Sequence, residues 1–200
     1  MQWLNPTPAT RAAPTPVLVH TLGRFDLLIN GVCVRFEGRG PRKPLELLGT
    51  LVACGPRGAS VGGVTDLLWP EAEGFDAYRA LITTLHRLRR LLVHRQAVQF
   101  AAGRLRIDPA VCGVDAWTFE QALANARDRE QLAAALALYR GPFLADEHSP
   151  WVLGMRSRLE QNIARVTRRL WAQAGIGAPK HPSVSLIKGE WYTTAPAFQA

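Results

Sequence analysis

Along residues 75–94, leucine and alanine return at steps of three and four. At about 100° per residue, Ala77, Ala80, Leu81, Leu85, Leu88, Leu91 and Leu92 gather on one side of a helix, with Thr84 among them. That face is wide enough to need a core, so the rest of the chain must supply elements to cover it. The opposite side holds Arg79, Thr83, His86 and Arg90, with Arg87 at one margin and Arg89, Ile82 and Val93 toward the other. No Asp or Glu occurs between Asp76 and Asp108. A solvated helix usually intersperses acids four residues from its bases, because such pairs stabilise it. The pattern therefore points to an anionic partner, and DNA, an anionic membrane surface and plain solvent compete for this face.

Composition narrows the choice. The 200 residues are 48% hydrophobic, which excludes a wholly disordered chain, and the net charge of +8 favours a polyanion. Membrane-surface helices carry Trp or Phe at their boundary, whereas this apolar face is mostly Leu and Ala. Cys33, Cys54 and Cys112 are odd in number and widely spaced, which suggests neither a disulfide framework nor a zinc site. The first residues contain no apolar core for secretion, and no apolar run reaches about 18 residues. A cytoplasmic protein without a membrane partner is expected.

The flanks give the helix a setting. Residues 1–16 carry Pro6, Pro8, Pro14 and Pro16 with little apolar pattern, and read as a flexible leader. From Val17, "VLVHTLGRFDLLINGVCVRF" predicts three short antiparallel strands turning at Gly23 and at Asn30-Gly31, a tight-hairpin dipeptide. Pro44 suits the first turn of a helix with Leu45, Leu48, Leu51 and Val52 on its apolar side, stopped by Gly55-Pro56. Ser60 can cap a second helix that ends at Trp69-Pro70, although Gly62 and Gly63 each cost it about 1 kcal/mol against Ala. Trp69 reads as a core or turn anchor. After the helix of residues 75–94, "AVQFAAGRLRID" alternates around Ala102-Gly103 as a second hairpin. Strands, three helices and a terminal hairpin, in that order, describe a winged helix over residues 17–110.

In that arrangement the helix of residues 75–94 is the recognition helix. Its base-facing candidates are Arg79, Thr83, His86, Arg87 and Arg90, and an Arg fork can address guanine O6 and N7 together. Arg104 and Arg106 on the hairpin, with Arg95 before it, are candidates for wing and phosphate contacts. Ser60 is first a helix cap, although helix N-termini also bind phosphate.

The second half is all-α. Asp115 can cap a helix through about Arg127, "REQLAAALALYRGPF" gives another ending at Gly141-Pro142, and Val152, Met155, Leu159, Ile163, Val166 and Leu170 form the narrow stripe of a third. Residues 111–175 thus form a helical unit. Beyond Gly175 the periodicity fails, and residues 176–200 read as a disordered tail.

Several blocks of the chain resemble the Streptomyces antibiotic regulatory protein (SARP) type of bacterial transcriptional activators. They are "TLGRFDLLINGVCVRF", "GPRKPLELLGTLV", "ASVGGVTDLLWPEAEG" and "LITTLHRLRRLL", followed by "GVDAWTFEQAL" and "ALALYRGPFL", and "LLWP" before "LHRLRR" is the most specific pair. The likeness spans roughly residues 17–172. It implies an α+β chain: a winged helix-turn-helix of the response-regulator effector type, then a bacterial transcriptional activation domain resembling tetratricopeptide repeats. It also implies double-stranded DNA as partner, bound by paired protomers at direct repeats, and RNA polymerase. Arg42 and Lys43 match the family's "RK" before the first helix, where a phosphate contact and a solvated loop are equally good readings. The helical pattern stops near Ala174, short of the three or so repeats such an array needs, so a partial activation domain is expected.

A catalytic role finds no support in the sequence. There is no G-x-x-x-x-G-K-[ST] loop and no metal-spaced Cys/His cluster, and His86, His94 and His148 lack evident orienting partners. No catalytic residue, cofactor or metal is expected. The reading that follows is a sequence-specific DNA-binding regulator, probed against one rival, an adaptor or inactive fragment that docks a partner protein through its helical half.

Overall fold

The protein is described by a computed structural model over residues 15–36 and 40–173. The expected tail at residues 176–200, and the expected leader apart from its last two residues, lie outside the described residues.

Two local signals build the first sheet. β1 (Val17–His20) pairs antiparallel with β2 (Asp26–Ile29), which turns at Asn30 and Gly31 into β3 (Val32–Cys33). Both turn residues have positive φ, 51° and 81°, as a two-residue hairpin turn of this hand requires. Three helices follow: α1 (Arg42–Cys54), α2 (Val61–Leu68) after the two-residue β4 (Ala59–Ser60), and α3 (Gly74–Leu91). α1 begins two residues before Pro44, which sits in the first turn, where its missing N–H has no intrahelical partner to lose. α2 forms despite Gly62 and Gly63, because the Ser60 hydroxyl accepts from the Gly63 N–H at 3.1 Å and Val64, Thr65 and Leu68 are buried. α3 stops short of His94: Leu92 caps it, and Val93 turns the chain away at φ 63°. After a single 3-10 turn (Arg95–Ala97), β5 (Val98–Ala101) and β6 (Arg104–Ile107) form the second hairpin around Ala102 and Gly103, with β4 on its other edge.

α3 buries the face that its periodicity predicts. Leu81, Leu85, Leu88 and Leu92 are buried, as are Leu47, Leu48, Leu51 and Val52 of α1, all within one core. Each such side chain contributes about 1.5–3 kcal/mol relative to exposure.

The helical half comprises α4 (Asp115–Asn125), α5 (Arg129–Ala137) and α6 (Pro150–Gln173). α4 and α5 both end earlier than their composition suggests, and α6 buries all six residues of its predicted stripe. The sequence contains no signal for what joins the halves. β7 (Cys112–Val114), only three residues long, pairs parallel with β1 in the register Val17↔Cys112 and Val19↔Val114, giving the sheet order β3-β2-β1-β7. Asp115, expected as a helix cap, is instead the first helical residue. Its carboxylate accepts from Thr21 N–H and Oγ1–H (both 2.8 Å) and Leu22 N–H (2.9 Å) as well as Ala116 N–H (2.7 Å).

A second weld is at the C-terminal end of α1. Helix-end carbonyls lack intrahelical donors, and here Trp117 Nε1 donates to Val52 O (2.9 Å) while Arg158 Nη1 donates to Ala53 O (2.9 Å). Arg158 also pairs with Glu120 at 3.1 Å, tying α6 to α4. Further along α1, a Cβ at Gly49 would lie 2.9 Å from Trp151 Cη2 and 3.0 Å from Leu144 Cδ1. Overpacking costs about 1–3 kcal/mol and removing a mid-helix glycine returns about 0.5–1 kcal/mol. Gly49→Ala is therefore expected to lower stability by about 1 kcal/mol, read as a lower urea midpoint. A stabilised variant would show that Trp151 yields freely. The hydrophobic core is continuous through both halves.

Candidate nucleic-acid interface

The outer face of α3 is set by what its inner face must do. With Leu81, Leu85 and Leu88 held inward, Arg79, Thr83, His86, Arg87 and Arg90 are all exposed. Among the described residues, no hydrogen bond or ion pair engages the side chains of Thr83, His86, Arg87 or Arg90. Arg79 lies over the Phe75 ring, 5.8 Å from its centroid. Arg89, within the same "RLRR", is different: it is half-buried, and its Nε and Nη2 donate to Val98 O at 3.0 and 2.8 Å. It ties the end of α3 to the start of β5, a role that angular position on the helix could not reveal.

The second hairpin adds a further basic surface. On β6, Leu105 and Ile107 are buried while Arg104 and Arg106 are exposed, as alternation along a strand dictates. Arg104 Nη2 donates to Gly58 O (3.0 Å) and Arg106 Nε to Gln99 Oε1 (2.8 Å); both acceptors are neutral, so neither charge is cancelled. Arg95 is exposed in the 3-10 turn. Val61 N–H donates to Gly103 O (3.0 Å), which places the exposed Ser60 and the first turn of α2 against the hairpin turn.

Arg42 and Lys43 stand apart from the other candidates. Arg42 Nε is 2.6 Å from Glu46 Oε1, and Lys43 Nζ is 2.8 Å from Glu46 Oε2, donates to Leu68 O (2.9 Å) and lies 5.6 Å from the Trp69 ring centroid. Glu46 is buried, so the pair neutralises a carboxylate that would otherwise be costly there. Lys43 thereby fastens α1 to the end of α2. Trp69, half-buried against the core at that end, fits the expected anchor.

The exposed arginines of α3 and the hairpin form a surface that can neutralise phosphates and present guanidinium forks. No described helix is long and apolar enough to cross a membrane.

Comparisons with known proteins bear on the second half most directly. Residues 114–182 match the bacterial transcriptional activator domain family. No curated protein matches the chain. Among solved structures, the fold is similar to that of Mycobacterium tuberculosis EmbR, determined in complex with a low affinity phosphopeptide, with a TM-score of 0.57 and 24% identity over 76% of this chain. The likeness covers 43% of the EmbR chain, so this chain spans less than half the length of that protein. At this identity it speaks for the fold. Over residues 114–182, the chain is thus similar to bacterial transcriptional activator domains.

Proposed function

We propose that this protein is a sequence-specific DNA-binding transcriptional regulator, an activator, in which residues 17–110 are a winged helix-turn-helix of the response-regulator effector type. α3 enters the major groove with Arg79, Thr83, His86, Arg87 and Arg90 toward the bases. The β5–β6 hairpin is the wing, and Arg95, Arg104 and Arg106 contact backbone or minor groove, with Ser60 and the first turn of α2 beside a phosphate. Arg42 and Lys43 add at most peripheral phosphate contacts, since Glu46 already holds them. The helical unit, resembling tetratricopeptide repeats, faces RNA polymerase, and paired protomers occupy direct repeats in the cytoplasm. No catalytic step is assigned.

One observation carries this reading: among the described residues the outer face of α3 is basic and has no ion pair, and no acid interrupts the chain from residue 77 to residue 107. A structural helix at the surface would be expected to satisfy its arginines locally, as Arg89 does.

Binding to the DNA beside the protein's own coding region, measured across a salt series, tests the proposal. With four phosphate contacts, affinity is expected to fall on the order of a hundredfold between 50 and 200 mM salt. Footprints at two spaced half-sites are expected at higher protein concentration. Affinity that ignores salt, or is equal for all sequences, would overturn the specific claim.

A further inference from the structure

The N-terminal sheet, α1 and the loop entering α6 enclose an open cavity of about 450 Å³. Its apolar walls come from both halves of the chain: Phe25, Phe36 and Leu45 from the first, Leu144 and Trp151 from the second. Phe25, Phe36 and Trp151 are half-buried, so core packing leaves part of each side chain uncovered. The volume lies in the range of small-molecule sites, which favour junctions between structural units and apolar walls with a few polar groups.

Charge selects the occupant. Among the described residues, three carboxylates line the cavity, those of Glu46, Asp146 and Glu147, with the guanidinium of Arg42. Glu46 is neutralised by Arg42 and Lys43 together. Glu147 accepts from Ser149 Oγ–H (2.7 Å), Ser149 N–H (3.0 Å) and His148 N–H (2.9 Å). Burial alone would push its carboxyl up, but these bonds and nearby Arg42 hold it below its ordinary range. Among the described residues, Asp146 has no hydrogen-bond or ion-pair partner. The carboxylates of Asp146 and Glu147 beside three aromatic rings suit a cation with an aromatic or apolar body, which gains both Coulomb and cation–π attraction. An anion would meet net negative charge.

The wall is also preformed. Arg156 donates to the carbonyls of Phe143 (2.8 Å) and Glu147 (2.8 Å), and Leu144 N–H donates to Thr21 O (2.7 Å), so the loop carrying Leu144, Asp146 and Glu147 is held before any ligand arrives. A fixed wall lowers the ordering cost of binding.

We propose that this cavity is a binding site for a small monocation of the arylalkylamine class, held between the half that carries α3 and the helical half. The site does not depend on the DNA reading, and DNA is not needed to test it. Calorimetric titration of the full 200-residue chain with 2-phenylethylammonium, tryptammonium and 2-(1-naphthyl)ethylammonium is expected to show one saturable site with a Kd below about 1 mM. The matching alcohols and carboxylates are expected to bind at least about tenfold more weakly. Asp146→Lys, at an exposed position, should abolish binding with the fold intact by circular dichroism. Leu45→Trp should do the same by filling the cavity, and if it fails to fold, Asp146→Lys decides alone. Absence of saturable binding by every ammonium compound, equal binding of the carboxylates, or binding unchanged in Asp146→Lys would each overturn the proposal.

Discussion

Arg90→Ala and Arg87→Ala are each expected to weaken binding to a specific promoter site by about 5- to 100-fold while leaving the thermal unfolding midpoint unchanged. Both side chains are exposed and, among the described residues, unpaired, and surface substitutions away from packing or hydrogen bonds usually stay within about 0.5 kcal/mol. Losing a contact to a base or phosphate costs about 1–3 kcal/mol, so the binding loss exceeds any stability loss. The salt series separates the two kinds of contact. A phosphate contact removed lowers the log–log slope by about 0.9, whereas a base contact removed leaves the slope and relaxes preference at one position. Arg89→Ala supplies the contrast, because it strips two charged hydrogen bonds from Val98 O and should lower stability first. Melting temperatures that fall for Arg87→Ala and Arg90→Ala with DNA affinity unchanged would assign those side chains to the fold.

Asp115→Ala is expected to be the most damaging single change outside the hydrophobic core, costing about 3 kcal/mol or more. Its carboxylate accepts two hydrogen bonds from Thr21 and one from Leu22, and both residues are buried. Removing the acceptor leaves these donors without water or protein to receive them, at about 1–3 kcal/mol for each unsatisfied group. Set against a total stability of about 5–15 kcal/mol, that is a large share. Asp115→Asn keeps one oxygen but turns the other into an NH₂ that faces a donor, so it should rescue only part of the loss. Urea unfolding reads the effect as a lower midpoint at constant slope. A loss under about 1 kcal/mol would mean that β1 and α4 are held together by packing alone.

Elements defined by their own periodicity were legible in the sequence. α3 and α6 show their buried faces in the spacing of Leu, Val and Ile, and the turns at Asn30-Gly31 and Ala102-Gly103 mark two hairpins, because period and turn chemistry are local properties. β4 and β7, two and three residues long, are too short to carry a period. Asp115 shows a different limit: it has the spacing of a cap, but its partners lie 93 and 94 residues away. The basic candidates show it again. Angle on the helix placed Arg87 and Arg90 outward correctly, yet nothing in "RKPLE" indicates that Glu46 folds inward and claims both Arg42 and Lys43, or that Arg89 is the one arginine of its run with a carbonyl to serve.

The parallel pairing of β7 with β1 governs the order in which this protein can be assembled during synthesis. The first strands leave the ribosome early, but Val17 and Val19 acquire their second neighbour only after Val114 has emerged, and until then one side of β1 is an unsatisfied, apolar edge. Contacts so distant in sequence are slow to form. A chain cut at residue 110, where the sequence pattern changes, would keep α3 and its hairpin whole while leaving that edge open for another copy's strand. The half that carries α3 is therefore self-contained in pattern but borrows its last strand from the segment that introduces the helical half.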